Sequence, residues 1–196
     1  MIEYIKGRLA SLTPAYAVVE SGAGIGWRLA ITLSTYSILE GKAECRLFVH
    51  EVIREDAWTL YGFADETERE HFRLLTGVSG VGAATAVLIL SALQGDELAA
   101  TIAGGDVRRL KAIKGIGAKT AERIIVDLRD KIEAATLPAA ALATGTAAND
   151  AFDEAHAALV MLGFDKRLAH KTLTSLFASE PGLKVEVAIK KALSMM

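Results

Sequence analysis

The chain has 196 residues, 52% of them hydrophobic and 23% charged, which is the composition of a folded soluble protein and excludes a disordered or fibrous one. Its 22 lysines and arginines against 24 acidic residues leave a formal net charge of -2, so no global basic charge draws it to nucleic acid and any polyanion site must come from local asymmetry. A single cysteine, Cys45, excludes an intramolecular disulfide framework and a multi-cysteine zinc site.

The N-terminal stretch from Met1 to Leu9 alternates apolar and polar residues and lacks the apolar core and small-residue cleavage site of a signal peptide. The longest aliphatic run, Ala86 to Leu90, is far shorter than the roughly 18 residues that suggest a membrane span. A cytoplasmic protein with no membrane association is expected.

Residues 1–63 read as strands. Ile2 to Leu9, Tyr16 to Glu20, Trp27 to Thr32, Cys45 to Ile53 and Trp58 to Phe63 are rich in β-branched and aromatic residues with period-2 stretches. Five short strands predict a small barrel. The run Ser21-Gly22-Ala23-Gly24-Ile25-Gly26 is superficially a phosphate loop, but the dinucleotide fingerprint needs different spacing and a following helix. A hairpin turn using glycine for positive φ is expected instead.

From Ala64 the period becomes helical, with Asp65-Glu66-Thr67-Glu68 supplying a cap and first-turn acids. A pattern then occurs twice. Val78-Ser79-Gly80-Val81-Gly82-Ala83-Ala84-Thr85-Ala86 returns 35 positions later as Ile113-Lys114-Gly115-Ile116-Gly117-Ala118-Lys119-Thr120-Ala121, an internal duplication of helix, Gly-aliphatic-Gly turn, helix. Residues 134–149 carry no charge, no aromatic residue and little pattern and read as a flexible linker. Beyond them, Phe152, Ala155, Ala158, Leu159 and Leu162 share one helical face. Leu168, Leu173, Leu176 and Phe177 suit a second helix, and Val185, Ile189 and Leu193 a third. A three-helix bundle is predicted, small enough that an apolar patch left outside is a candidate interface.

In each Gly-x-Gly turn the glycines let the backbone turn tightly and approach a ligand, while the free N–H groups of the next helix face outward as an anion site. Lys119 adds a charge beside the second turn. The stretch from Gly104 to Lys131 holds eight basic side chains against four acidic ones. Two matched turns can grip two phosphate positions on a duplex, reading backbone shape rather than base sequence, so binding should be structure-selective and salt-sensitive.

These residues carry a resemblance. The chain resembles the helix-hairpin-helix DNA-binding proteins, and specifically the RuvA family, the Holliday-junction-binding subunits of the bacterial branch-migration complex. The resemblance spans nearly the whole chain. It rests on Arg54-Glu55-Asp56 with Leu60-Tyr61-Gly62-Phe63, on Ser79-Gly80-Val81-Gly82, on Gly115-Ile116-Gly117-Ala118-Lys119-Thr120-Ala121-Glu122-Arg123, and on Ala158-Leu159-Val160-Met161-Leu162-Gly163-Phe164.

The fold it implies is multidomain α+β: a five-stranded oligonucleotide-binding-type (OB) barrel over 1–63, a tandem helix-hairpin-helix domain over 64–133, the linker over 134–149, and a C-terminal three-helix, UBA-like bundle over 150–196. The function it implies is binding of four-way junctions in recombination, repair and the SOS response to DNA damage. The barrel would build a homotetramer, or an octamer on DNA, and the bundle would recruit the hexameric RuvB ATPase, with the RuvC resolvase as a further partner. By the same resemblance Ser79, Gly80, Val81, Gly82, Lys114, Gly115, Ile116, Gly117, Lys119, Thr120 and Arg123 bind DNA. Glu55 and Asp56 form an acidic pin facing the crossover, where negative charge repels phosphates; spacing alone favours a solvated turn pair, and it is the resemblance that reverses this. Leu162, Phe164 and Leu193 are implied motor contacts, with core packing as the competing role for Leu162 and Leu193, whereas Phe164 follows the Gly163 turn and is expected to be exposed.

The chain departs from the family twice. Ala83-Ala84 stand where the family often has Pro-Lys, and Ala118 precedes Lys119 where two lysines are common, so backbone contacts should carry more of the binding. No catalytic, cofactor or metal site is expected. His50, His71, His156 and His170 lack ligand grouping, no Gly-x-Ser-x-Gly elbow occurs, and Gly115-Ile116-Gly117-Ala118-Lys119-Thr120 lacks the glycine spacing of a Walker A motif. Two other classes compete with a DNA-binding scaffold. One is a helix-hairpin-helix nuclease or glycosylase using Asp127 and Asp130; the other is a protein-interaction module without DNA.

Overall fold

The computed structural model describes residues 1–136, 147–180 and 182–195. Period-2 apolar residues in its first third form β1 (Tyr4–Leu12), β2 (Tyr16–Glu20), β3 (Gly26–Ile31), β4 (Glu44–Ile53) and β5 (Trp58–Phe63). They close into a barrel of order β1-β2-β3-β5-β4, antiparallel except for the β3–β5 pair. Ile5, Ala17, Val19, Leu29, Ile31, Leu47, Val49 and Leu60 fill the interior.

β1 begins later and runs further than the Ile2 to Leu9 stretch that the pattern suggests. Its first half pairs with β4 and its second half with β2, the register shifting between Leu9 and Ser11. Pairing on both edges overrides the weak strand preference of Ala10 and Ser11. At Gly7 a Cβ would collide with the Glu20 carbonyl oxygen; no other residue fits that close approach. Ser21 to Gly26 form the expected β2–β3 turn, with Gly24 at φ 74° and the Ser21 N–H donating to the Ile25 carbonyl at 3.0 Å.

Pattern reading missed α1 (Leu33–Leu39). Thr32, assigned there to the third strand, is its N-cap and accepts from the Thr35 N–H at 3.0 Å.

The helical part holds α2 (Glu66–Thr76), α3 (Ala83–Ala92), α4 (Asp96–Ala103), α5 (Val107–Lys111) and α6 (Ala118–Thr136). Asp65 caps α2, accepting from the Glu68 N–H at 2.7 Å. Phe72, Leu75, Ile89, Leu98, Ile102, Leu110, Ile124 and Leu128 are fully buried in one core, which Phe63 from β5 joins. Phe72 meets Phe63, Tyr61 and His50 with ring centroids 5.0, 4.9 and 5.2 Å away. The barrel and the helices therefore share an apolar seam along α2.

A polar network completes that seam. Buried Glu68 accepts hydrogen bonds from Thr32 Oγ1 at 2.5 Å and Thr35 Oγ1 at 2.7 Å, and the Ala64 N–H donates to Thr35 Oγ1 at 3.0 Å. Burial pushes the Glu68 carboxyl above its ordinary range, against the pull of the two hydroxyls. One position on, the buried Arg69 guanidinium pairs with Glu3 at 2.5 Å and Glu66 at 3.1 Å.

Among the described residues no single helix is long and apolar enough to cross a membrane. α3 and α4 pass on length and composition only as a pair bent by 100°, and they supply Ala86, Ile89, Leu90, Leu98 and Ile102 to the helical core.

The C-terminal unit is a separate body of α7 (Ala147–Met161), α8 (Lys166–Ser179) and α9 (Val185–Met195). Ala155, Leu159, Ala169, Leu173, Leu176, Ala188 and Ala192 are its core. Asp165 caps α8, accepting from the Arg167 and Leu168 N–H groups at 3.0 Å. Of the segment expected to be a linker, residues 134–136 are helical in α6 and 147–149 in α7; 137–146 lie outside the described residues.

Candidate nucleic-acid interface

The duplicated segments form two turns whose hydrogen bonds match at an offset of 35 residues. Gly77 and Ala112 donate to the carbonyls of Arg73 and Arg108, Val78 and Ile113 to Leu75 and Leu110, Val81 and Ile116 to Val78 and Ile113, and Ala86 and Ala121 to Gly82 and Gly117. Gly80 and Gly115 sit at φ 94° and 90°, the left-handed region that strains other residues. The structure also brings the turns together: a Cβ on Gly80 would lie 3.7 Å from Thr120 Oγ1 in the second hairpin.

The four glycines divide into two kinds, a distinction that spacing alone does not make. Gly82 has φ -84° and Gly117 no positive φ, and a Cβ on either meets nothing within 4 Å. Neither backbone strain nor packing requires glycine there. What the missing side chains provide is open approach from outside to the helix starts behind them. No side chain caps α3 at Gly82, and in α6 the N–H groups of Ala118, Lys119 and Thr120 precede the first helical bond, from Ala121 to Gly117. Each turn thus ends at a helix N-terminus able to receive an anion.

Ser79, Lys114, Lys119 and Arg123 are exposed, and Thr120 is half-buried. Among the described residues none of Lys114, Lys119 and Arg123 is in an ion pair, whereas Arg109 is held by Glu97 at 3.0 Å. Val81 and Ile116, which the resemblance counts with the DNA-binding residues, have buried side chains, and their N–H groups are spent inside the turn. They anchor the turns and offer no donor to a ligand. Asp127 and Asp130 are exposed, and no group of three metal-ligating side chains occurs among the described residues.

Glu55 and Asp56 occupy the tip of the β4–β5 hairpin, a four-residue turn closed by the Arg54 N–H donating to the Ala57 carbonyl at 2.8 Å. All four residues are exposed.

In the C-terminal unit Leu162 and Leu193 are exposed, at 62% and 42%. Phe164 reverses its expectation: it is half-buried against the bundle core, because the left-handed Gly163 at φ 94° turns the chain back and the Phe164 N–H bonds the Leu159 carbonyl at 3.1 Å. His156 and His170, on different helices, come within 5.6 Å as rings beside Phe152.

Three family models match the chain: the RuvA N terminal domain over residues 1–62, a SAM-like helix-hairpin-helix tandem over 72–130, and the RuvA C-terminal domain over 150–196. Similar proteins named Holliday junction branch migration complex subunit RuvA occur in Bacteroides fragilis, 48% identical over 204 residues, and in Bacteroides thetaiotaomicron and Porphyromonas gingivalis, each 46% identical over 202 and 203 residues. All of each chain is covered in every case. With its two ends matched by the family's own domain models and its full length aligned with these relatives, the chain belongs to the RuvA family.

Proposed function

We propose that this chain binds four-way DNA junctions by their shape and serves, without catalysis of its own, as the scaffold on which an ATP-driven partner moves the branch point. The observation that carries this reading is the pair of matched turns, each with an open glycine before a helix start and with unpaired cations around the second. Two backbone anion sites fixed on one body grip a duplex at two phosphate positions with no need of base contacts. The relatives' names, as subunits of a Holliday junction branch migration complex, support the same reading.

The division of labour proposed is a tetramer core over 1–63, duplex-arm binding over 64–133 and recruitment of the RuvB ATPase by 150–196 through Leu162 and Leu193, with Phe164 supporting that surface from within. Glu55 and Asp56 act as the acidic pin, RuvC is a further partner, and the cytoplasm is the setting. The test is a gel-shift competition between a four-way junction and linear duplex of equal length, without ATP and at two salt concentrations. Strong junction preference that weakens with salt is expected. Equal binding reduces the chain to a general duplex binder, and no binding overturns the reading. Deleting residues 150–196 is expected to preserve junction binding and abolish stimulation of the motor.

A further inference from the structure

The acidic tip is flanked by exposed apolar side chains. Ile53 and Trp58 are directly opposite each other across the β4–β5 ladder, so both side chains project from the same face of the hairpin. Further down, that face carries Val49 and Leu60 into the barrel core. At the tip it leaves the barrel, and Ile53 is 73% and Trp58 60% exposed. The opposite face is occupied, with Val52 and Tyr61 packed on the helical core.

Trp58 also has a carboxylate as its neighbour on that face. Glu51, the diagonal neighbour of Trp58 across the ladder, accepts from the Ile2 N–H at 2.6 Å. That hydrogen bond first, and with it the N-terminal ammonium and the Trp58 side chain, keep the Glu51 carboxyl below its usual range. An exposed aromatic ring on the face of a hairpin can receive a flat partner.

From this arrangement, and resting on the junction-binding reading above, we infer that Trp58, backed by Ile53, is a stacking platform for a nucleobase left unpaired at the crossover. The charge around it selects for this occupant. Glu55 and Asp56 repel phosphates but not the neutral face of a base, while exposed Arg54 beside them can meet the phosphate of the same nucleotide. Size selects for it too. The two side chains expose on the order of 300 Å², well short of the roughly 800 Å² per partner of a stable protein interface, but enough for one base. Stacking on an aromatic side chain tolerates any base, which suits a branch point that moves through sequence.

The test uses the full chain carrying Trp27→Phe, so that Trp58 is the only tryptophan; Trp27 lies in β3, half-buried at the barrel. Titration with a four-way junction is expected to quench Trp58 emission, and linear duplex of equal length is expected to leave it unchanged. Trp58→Ala should weaken junction binding about fivefold or more with duplex binding within about twofold, and Trp58→Phe should restore most of the loss. Circular dichroism verifies that the variants fold. If the wild-type chain prefers the junction while Trp58 emission does not respond, or Trp58→Ala binds as tightly as wild type, the stacking platform is refuted and the junction reading stands. If Trp58 is already shielded from acrylamide in the free protein and Trp58→Ala lowers the assembly mass in light scattering, the face is a contact between copies and the inference is overturned.

Discussion

Glu68 Oε1 lies 2.5 Å from Thr32 Oγ1, and this contact ties the first helix of the paired hairpins to the N-cap of α1 inside the barrel domain. Thr32 and Glu68 are 36 positions apart, and both are buried. With Thr35 on the other carboxylate oxygen, one side chain satisfies two hydroxyls that have no access to water.

Removing that side chain should therefore be expensive. Glu68→Ala leaves two buried hydroxyls without their acceptor and is expected to destabilise the chain by about 2–4 kcal/mol. Glu68→Gln keeps an acceptor oxygen and should cost less. Urea denaturation of the two variants beside wild type, comparing midpoints, measures both.

The same seam predicts two pH dependences of opposite sign. The folded chain holds the Glu68 proton more tightly than the unfolded chain does, so stability falls as pH rises from about 4.3 through the raised value and is level above it. The advantage of wild type over Glu68→Gln should shrink across that window. Burial holds His71 below its ordinary value, and burial with Arg73 and Arg69 does the same for His50. For these two, stability falls as pH drops below about 6.5. His71→Leu should flatten that fall, as stability curves measured from pH 4 to 8 would show.

The two kinds of hairpin glycine should fail differently. Gly117→Val, at a position with no positive φ and open space around the new Cβ, is expected to leave the melting temperature nearly unchanged while weakening junction affinity about tenfold. Gly115→Val, at φ 90°, should lose at least about 1 kcal/mol of stability as well. Thermal melts run beside gel shifts separate the two outcomes; equal melting losses would refute the distinction.

Lys114, Lys119 and Arg123 are exposed and free of ion pairs among the described residues. Replacing each with Ala should weaken binding to all sequences alike and reduce the slope of log affinity against log salt by about 1 for each phosphate no longer neutralised. Titrations at several salt concentrations read the slope directly.

The duplication was legible because it repeats in sequence what it repeats in space, down to the paired roles of Val81 and Ile116 and of Gly80 and Gly115. The hairpin tip at Glu55 and Asp56 was legible from the two strand patterns around it. α1 was not, because Thr32 continues a β-branched run and only its capping bond to Thr35 shows that the strand has ended. The C-terminal turn misled for a related reason. Gly163 marks a change of direction, but whether Phe164 leaves or rejoins the core depends on the left-handed φ and on the carbonyl of Leu159 that receives its N–H. The network at Glu68 was invisible as well, since each of its members is an ordinary residue until folding brings them together.

The offset of 35 residues gives this protein an internal control. Every position in one turn has a twin in the other with the same backbone bonds, yet the second turn is surrounded by Lys114, Lys119 and Arg123 where the first has Ser79, Ala84 and Leu88. The same substitution made in each turn holds the scaffold constant and varies only the surrounding charge. The difference between the two results measures what those cations add to a backbone grip, within a single polypeptide.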